Sequence, residues 1–395
     1  MTRVLVTEDW ATYTLGDFTV QNNVWNKDTR VNGVDYTQSI EYDDTDLSQA
    51  LSFDWDWGDY AGEVLAYPEV QVGYKPASEQ GSLTLTTRIS DLSKFEISHD
   101  ITIGGPDLDQ FNVAYDLWLS SKPQSDFESV TAEVMIWMHS GALDTFGKDM
   151  RVGTYEQDGM QFKIYAAKDV HDISWNTPHS WNYVALIPKK DYLTATLDMR
   201  DVLYQLIELG LVKDSSYLNG YELGAEVGGG KGSMDINSLS FDFSKFGADA
   251  NANTLQGGDT RDRMFGLAGD DALAGGGGND FLCGGKGSDS LTGGANADTF
   301  YFDTLDGADT VLDFNRKTDD IELDDAVFRG LKRGALDKTA FALGRSHDAN
   351  DLIVYNAHNG KLYYDADGAR GPHKPDLIAT FVHHPALSYA DFHVV

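Results

Sequence analysis

Residues 131–140 read TAEVMIWMHS, and together with Val130 they alternate. Val130, Ala132, Val134, Ile136 and Met138 fall on one side of an extended chain, while Thr131, Glu133, Met135 and Trp137 fall on the other. This period of two predicts a strand. A lone Glu on a strand is ordinarily solvated. Here its same-face neighbours are a thioether and an indole, surroundings that suit the apolar face of a sugar ring better than bulk water.

The preceding run, FNVAYDLWLS, alternates as well and puts Asp116 and Trp118 on one face. Two successive strands thus each carry a carboxylate and an indole on one face, which predicts a shared cleft. Further on, YELGAEVGGGKGSM places Glu222 and Glu226 on one strand face, with three glycines after Glu226 keeping its surroundings open. Carboxylates on facing strands, among aromatic rings, are the equipment of glycosidic bond cleavage.

A second group of acids obeys a different rule. In rows of nine, residues 257–301 read GGDTRDRMF, GLAGDDALA, GGGGNDFLC, GGKGSDSLT and GGANADTFY. The sixth place is always Asp (Asp262, Asp271, Asp280, Asp289, Asp298), and the eighth is always apolar (Met264, Leu273, Leu282, Leu291, Phe300). A flexible linker would show no such phase. Between residues 246 and 314 there are twelve Asp and no Glu. General acidity would not choose so sharply, whereas ligand geometry would: Asp offers a hard oxygen of short reach, and Ca²⁺ collects six to eight oxygens. Departures from the pattern are Leu267 at a second place and Thr260 and Asn296 at fourth places.

The elements that must position these groups are nearly all strands. Residues 1–246 are rich in aromatics and short alternating runs such as SLTLTTRI, QFKIYAA and WNYVALIP, separated by turns. That texture predicts an all-β sandwich. One amphipathic helix is expected over 197–212, its Met199, Val202, Leu203, Leu206, Ile207 and Leu211 forming a stripe against the back of a sheet. Three segments follow: 1–246, the repeat at 247–314, and a flank at 315–395 with further strand-like runs.

The 395 residues carry a net charge of −33, from 30 basic and 63 acidic side chains. This argues against nucleic acid or an anionic membrane surface as partner, and no apolar stretch reaches the ~18 residues of a membrane span. The one cysteine, Cys283, leaves no internal disulfide. The N-terminus shows no secretory leader, which by itself reads as cytoplasmic.

The repeat resembles the calcium-binding nonapeptide of RTX proteins. That resemblance implies a parallel β-roll with about three Ca²⁺ sites whose ligands include the five sixth-place aspartates. It also implies a secreted, extracellular protein, exported by a one-step ABC-type (type I) apparatus of Gram-negative bacteria. The signal for that route is an uncleaved C-terminal one, and the closing ADFHVV is similar to such tails.

Residues 8–246 resemble glycoside hydrolase family 12, β-jelly-roll enzymes acting on β-1,4-glucans and xyloglucan. The similar stretches occur in family order: QNNVWN, YTQSI at 36–40, AYPEV at 66–70, AYDLWLSSKP at 114–123, EVMIWM at 133–138 and LGAEVGGG at 223–230. The resemblance implies Glu133 as nucleophile, Glu226 as general acid/base and Asp116 as the carboxylate beside the nucleophile. It implies Asn23, Trp25, Met135 and Trp137 as substrate-binding cleft positions. Val227 stands where the family often has Pro, Ser39 where it often has Cys, and Met138 where it often has Leu.

The expected activity is a retaining endo-β-1,4-glucanase acting as a monomer, with no cofactor in catalysis. A xyloglucan-specific or mixed-linkage enzyme is the near alternative, and a non-catalytic calcium-dependent glucan-binding or adhesive protein the distant one. No HExxH or nucleophile-elbow pattern supports a metalloprotease or a serine hydrolase.

Overall fold

The alternation in the first 245 residues resolves into two sheets, and the nine-residue phase that follows resolves into a parallel roll. The computed structural model describes residues 3–24, 32–33, 35–58, 64–73, 86–123, 127–141, 150–170, 180–368, 372 and 374–395. The chain forms two units, Met1–Ile89 with Lys94–Phe243, and Ser90–Ser93 with Ser244–Val395.

In the first unit a six-stranded sheet runs in the order β1 (Arg3–Val6), β4 (Thr37–Asp43), β5 (Gln49–Asp56), β16 (Lys231–Lys245), β8 (Leu92–Gly104), β14 (Thr194–Asp198). The larger sheet runs β11 (Arg151–Gln157), β12 (Met160–Val170), β13 (Trp181–Pro188), β10 (Val130–His139), β9 (Val113–Ser120), β15 (Tyr217–Gly224), β6 (Glu69–Gly73), β3 (Phe18–Gln21), β2 (Thr12–Leu15), with the short β7 (Thr87–Arg88) also on β15. Its neighbours are antiparallel except β10 and β13, which run parallel. This is the expected jelly-roll sandwich.

The two sheets meet through the odd-numbered side of β9 and the even-numbered side of β10. Phe95 on β8 packs against Tyr221 on β15 with ring centroids 5.9 Å apart. Tyr115 on β9 shares a 2.9 Å hydrogen bond with Nδ1 of His99 on β8. Leu117, Leu119, Val134, Ile136 and Met138 are fully enclosed in this layer. The opposite side of the same strands is therefore the one free to carry chemistry.

The helix α1 spans Met199–Glu208, shorter at both ends than the apolar stripe suggests. Leu197 belongs to β14, and Asp198 caps the helix by accepting the N–H groups of Arg200 and Asp201 at 3.0 and 3.1 Å. At the other end Gly210, at φ 66°, turns the chain out of the helix before Leu211. Met199, Val202, Leu203 and Leu206 are buried as expected.

In the second unit two rows make one turn. Strand β17 (Thr254–Gln256) pairs in parallel with β19 (Ala272–Gly277), and β19 with β21 (Ser290–Ala295), each 18 residues on. On the other side β18 (Arg263–Phe265), β20 (Phe281–Cys283) and β22 (Thr299–Phe302) stack in the same way. The five eighth-place side chains are all fully buried between the two sheets. The stacking continues past the repeat: β23 (Asp309–Val311) and β29 (Asp376–Phe381) extend one sheet, and β24 (Asp320–Leu323) and β30 (Phe392–Val394) extend the other. One apolar cluster runs from Leu255 to Val394, so the repeat and the flank share a core.

Candidate active site

Strand register brings the acids of the large sheet onto one face. Met135 on β10 lies opposite Asp116 on β9, and Asp116 lies opposite Glu222 on β15. Glu133 lies opposite Trp118 on one side and Tyr183 of β13 on the other. Glu222 pairs in turn with Gln71, and Gly224 with Glu69, on β6. Glu226 follows the end of β15, in an extension of the sheet made by single bridges linking Val24, Ala66, Val227 and Phe111 in that order. Asn23 sits beside this extension, its carbonyl accepting the Tyr67 N–H at 3.1 Å.

The two glutamates expected to do chemistry are held differently. Glu133 accepts the indole N–H of Trp181 at 3.0 Å through Oε2. Glu226 is clasped by Asn112: the Asn112 side-chain amide donates to Oε2, its oxygen accepts the Glu226 N–H at 3.2 Å, and its own N–H donates to the Glu226 carbonyl at 3.1 Å. Burial pushes the Glu226 carboxyl up to about 7, and the bond from Asn112 pulls it back in part.

Two tyrosines register how closely the charges gather. The Tyr183 phenol is raised well above its usual value by burial, then by the charges of Glu226, Glu133 and Asp116. Tyr67 is raised by burial, then by Asp116, Glu222, Glu69 and Glu226. The charges that act on Tyr183 thus come from β10, β9 and the extension beyond β15, and those that act on Tyr67 from β9, β15, β6 and the same extension.

Met135 and Trp137 pack with Ala114, Tyr165, Ala185 and Ile187 in a small apolar cluster on this face, against which Tyr183 rests. The Tyr183 hydroxyl donates to the Met135 sulfur at 3.0 Å. Trp118 and Trp181 form an edge-on pair with centroids 6.1 Å apart beside Glu133. Asn23 is buried, with its amide 3.4 Å from Glu69 Oε1. Trp25 lies outside the described residues.

Val227 explains its own departure from proline. Its N–H donates to the Ala66 carbonyl at 2.9 Å, a bond that proline lacks the hydrogen to make. The loop beyond is closed by Gly228 N–H to the Gln110 carbonyl at 2.9 Å. Asn112 and Trp181 belong to the site without standing out in the sequence. Asn112 shares the even-numbered face of Ala114, Asp116 and Trp118, so alternation alone could have flagged it. Trp181 is visible only once β13 is known to pair with β10.

The roll holds its acids as a ladder. Oδ1 of four sixth-place Asp accepts the N–H of the residue 18 before it: Asp271 from Asn253 at 2.7 Å, Asp280 from Asp262 at 2.8 Å, Asp289 from Asp271 at 2.8 Å, Asp298 from Asp280 at 2.9 Å. The ladder then continues to Asp309, accepting from Asp289, and Asp319, accepting from Asp298. These two escape the nine-residue pattern because the step lengthens to 20 and then 21 residues.

The second oxygens fit calcium. Oδ2 of Asp271, Asp289 and Asp298 is buried without a hydrogen-bond partner. A Cβ at Gly266 would lie 2.5 Å from Asp271 Oδ2 and 2.5 Å from the Gly284 carbonyl oxygen, so two oxygens converge where the row begins with glycine. Among the described residues no three metal-ligating side chains cluster; the donors here are one carboxylate oxygen with backbone carbonyls, a hard-oxygen set suited to Ca²⁺. Burial pushes Asp298 up to about 6 and raises Asp271 and Asp289, a cost that a bound cation removes.

A jelly roll whose open face gathers carboxylates between indoles is the architecture of a polysaccharide hydrolase. Comparison with known proteins makes this specific. Residues 16–249 match the glycosyl hydrolase family 12 profile, and residues 248–282 and 284–311 match the RTX calcium-binding nonapeptide repeat. The chain belongs to glycosyl hydrolase family 12, carries RTX calcium-binding repeats, and is a glycoside hydrolase.

Among its relatives, Endoglucanase S of Pectobacterium parmentieri is 25% identical over 56% of this chain and 80% of its own length. Xyloglucan-specific endo-β-1,4-glucanase A of Aspergillus niger is 24% identical over 55% and 81%. In fold, the chain resembles the family 12 xyloglucanase from Bacillus licheniformis, with a TM-score of 0.51 at 23% identity over 61% of this chain and all of that one. Among the described residues no helix is long and apolar enough to cross a membrane.

Proposed function

We propose that the chain is a retaining endo-β-1,4-glucanase in which Glu133 is the nucleophile and Glu226 the general acid/base. The observation carrying this reading is the unequal holding of two carboxylates on one face. Glu226 has a carboxyl raised to about 7 and so retains a proton near neutrality, whereas Glu133 accepts the Trp181 N–H. In the first step Glu133 attacks the anomeric carbon, the bond to the leaving sugar breaks, and Glu226 gives its proton to the departing oxygen. In the second, Glu226 takes a proton from water as that water displaces Glu133 from the ester. Asp116, two residues from Trp118 along β9, is assigned to the nucleophile's surroundings, and Asn23, Trp25, Met135 and Trp137 to the walls that hold the sugar chain.

The near alternative is xyloglucan as preferred substrate, the polymer for which the Aspergillus niger relative is named. Product analysis on a panel of plain, mixed-linkage and branched β-glucans separates the two. The test of the catalytic assignment is Glu133→Gln. Turnover of carboxymethylcellulose and xyloglucan should fall on the order of 10⁴-fold or more, with fold and glucan binding retained. Substantial residual hydrolysis refutes the assignment.

The calcium roll supports the wider reading of a secreted enzyme, which we take to act as a monomer. In it residues 1–246 catalyse, 247–314 bind about three ions through Asp262, Asp271, Asp280, Asp289 and Asp298, and 315–395 carry the type I export signal. Calcium is abundant outside cells, where bound ions would supply the positive charge that the buried carboxylates lack.

A further inference from the structure

We propose that Asn112 is a positioning residue that assigns the catalytic proton of Glu226 to its Oε1 atom. The inference rests on the acid/base role given to Glu226 above. Asn112 is fully buried, and its orientation is fixed from two sides. Its side-chain oxygen accepts the Glu226 backbone N–H at 3.2 Å, and its own N–H meets the Glu226 carbonyl at 3.1 Å. With the amide oxygen engaged, the NH₂ group has one way to point, and it donates to Oε2.

A protonated carboxyl has one hydroxyl oxygen and one carbonyl oxygen, and the carbonyl oxygen is the better acceptor. Donation from Asn112 therefore makes Oε2 the carbonyl-type oxygen and leaves the proton on Oε1. In glycosylation the O–H bond at Oε1 breaks, and its proton goes to the glycosidic oxygen as the C1–O bond cleaves with its electron pair leaving on that oxygen. The negative charge left on Glu226 meets a donor already in place at Oε2. In the return step Oε1 takes the proton from water as the water oxygen bonds to C1 and the ester to Glu133 breaks. The same hydrogen bond pulls the carboxyl down against the upward push of burial, so it sets both where the proton sits and when it leaves.

The experiment uses the full calcium-loaded chain with Asn112→Ala and Asn112→Asp. Two substrates are compared: a soluble β-1,4-glucan, whose leaving group must be protonated, and 2,4-dinitrophenyl β-cellobioside, whose phenolate leaves without a proton. kcat/KM reports glycosylation for both. For Asn112→Ala it should fall about 10²-fold on the glucan, within the span that general acid catalysis contributes, and only about threefold on the aryl glycoside. The alkaline limb of the glucan profile should move to higher pH in both variants, because one loses a donor to the ionised form and the other gains a like charge.

Retained turnover of the aryl glycoside shows that the variant site is folded. If Asn112→Ala does not fold, the limb of the similarly sized Asn112→Asp decides. Equal losses on the two substrates, or alkaline limbs that stay in place, overturn the proposal. If the unaltered protein turns over neither substrate, the parent assignment falls and this one with it.

Discussion

The two units use carboxylates in opposite ways. In the jelly roll, the two glutamates on which the catalytic proposal rests are held by different side chains from elsewhere in the sequence: Glu133 by the Trp181 indole, Glu226 by the Asn112 amide. In the roll, the acids are equivalent, held by backbone N–H groups one turn away, and buried to within 1–2% exposure. Difference between two acids lets one attack while the other carries a proton. Repetition among many acids builds identical places for a cation. The same functional group becomes a reagent or a scaffold according to whether its surroundings are unique or periodic.

The comparison is broken most forcefully by removing calcium. The stacked Oδ2 atoms then face carbonyl oxygens with no cation between them, and each site loses about 2.7 kcal/mol relative to a hundredfold excess of ion over its Kd. Circular dichroism in chelator should show loss of the strand signal of the roll. The flank should melt with it, because both belong to one apolar cluster. The jelly roll has its own core and should keep hydrolysing glucan. A spectrum unchanged by chelator would show that the roll stands without metal.

A smaller effect sharpens the catalytic side. In the acid role proposed for it, Glu226 works only while protonated, and burial raises its carboxyl to about 7. kcat/KM should therefore fall as pH rises through about 7, by roughly tenfold per further unit. An alkaline limb at the ordinary carboxylate value near 4.5 would show that burial does not tune this group.

The smallest effect lies at a flaw in the repeat. Leu267 occupies a second place at φ 77°, where Gly276, Gly285 and Gly294 take φ of 102°, 86° and 105°. Leu267→Gly relieves left-handed strain of about 1–2 kcal/mol but adds flexibility to the unfolded chain. The net should be a gain of about 0.5 kcal/mol, read as a slightly higher calcium-loaded midpoint. A lower midpoint would mean that the leucine side chain contributes more than its backbone costs.

Both units are legible in the sequence where the pattern is local. Period two places Glu133, Met135 and Trp137 on one face and Asp116 with Trp118 on the next strand; period nine finds the five rows of the roll. What the sequence hides depends on pairing or on a change of step. Trp181 reaches Glu133 because β13 runs parallel to β10, a neighbour relation no local period records. Tyr67 stands over Gly224, where a Cβ would come within 2.9 Å of its ring, and that contact too is set by register. Asp309 and Asp319 escape a nine-residue reading because two and three extra residues enter the loops while the backbone ladder stays in phase. Alternation puts Glu222 and Glu226 on one strand face, yet the strand ends at Gly224 and Glu226 belongs to the bridge at Val227.

The aspartate ladder has a direction. Every acceptor belongs to the later turn and every donor to the earlier one, from Asn253, which donates to Asp271, through to Asp298, which donates to Asp319. Asp319 is itself secured locally, by the Thr318 hydroxyl and the Asn315 N–H. The strand backbones run the other way: the N–H groups of Ala272, Phe281, Ser290 and Thr299 donate to the carbonyls of Asn253, Asp262, Asp271 and Asp280 in the turn before. The two ends of the solenoid are thus chemically unlike: a cut after any turn orphans aspartate N–H groups that side chains held, and a cut before it orphans strand N–H groups that carbonyls held.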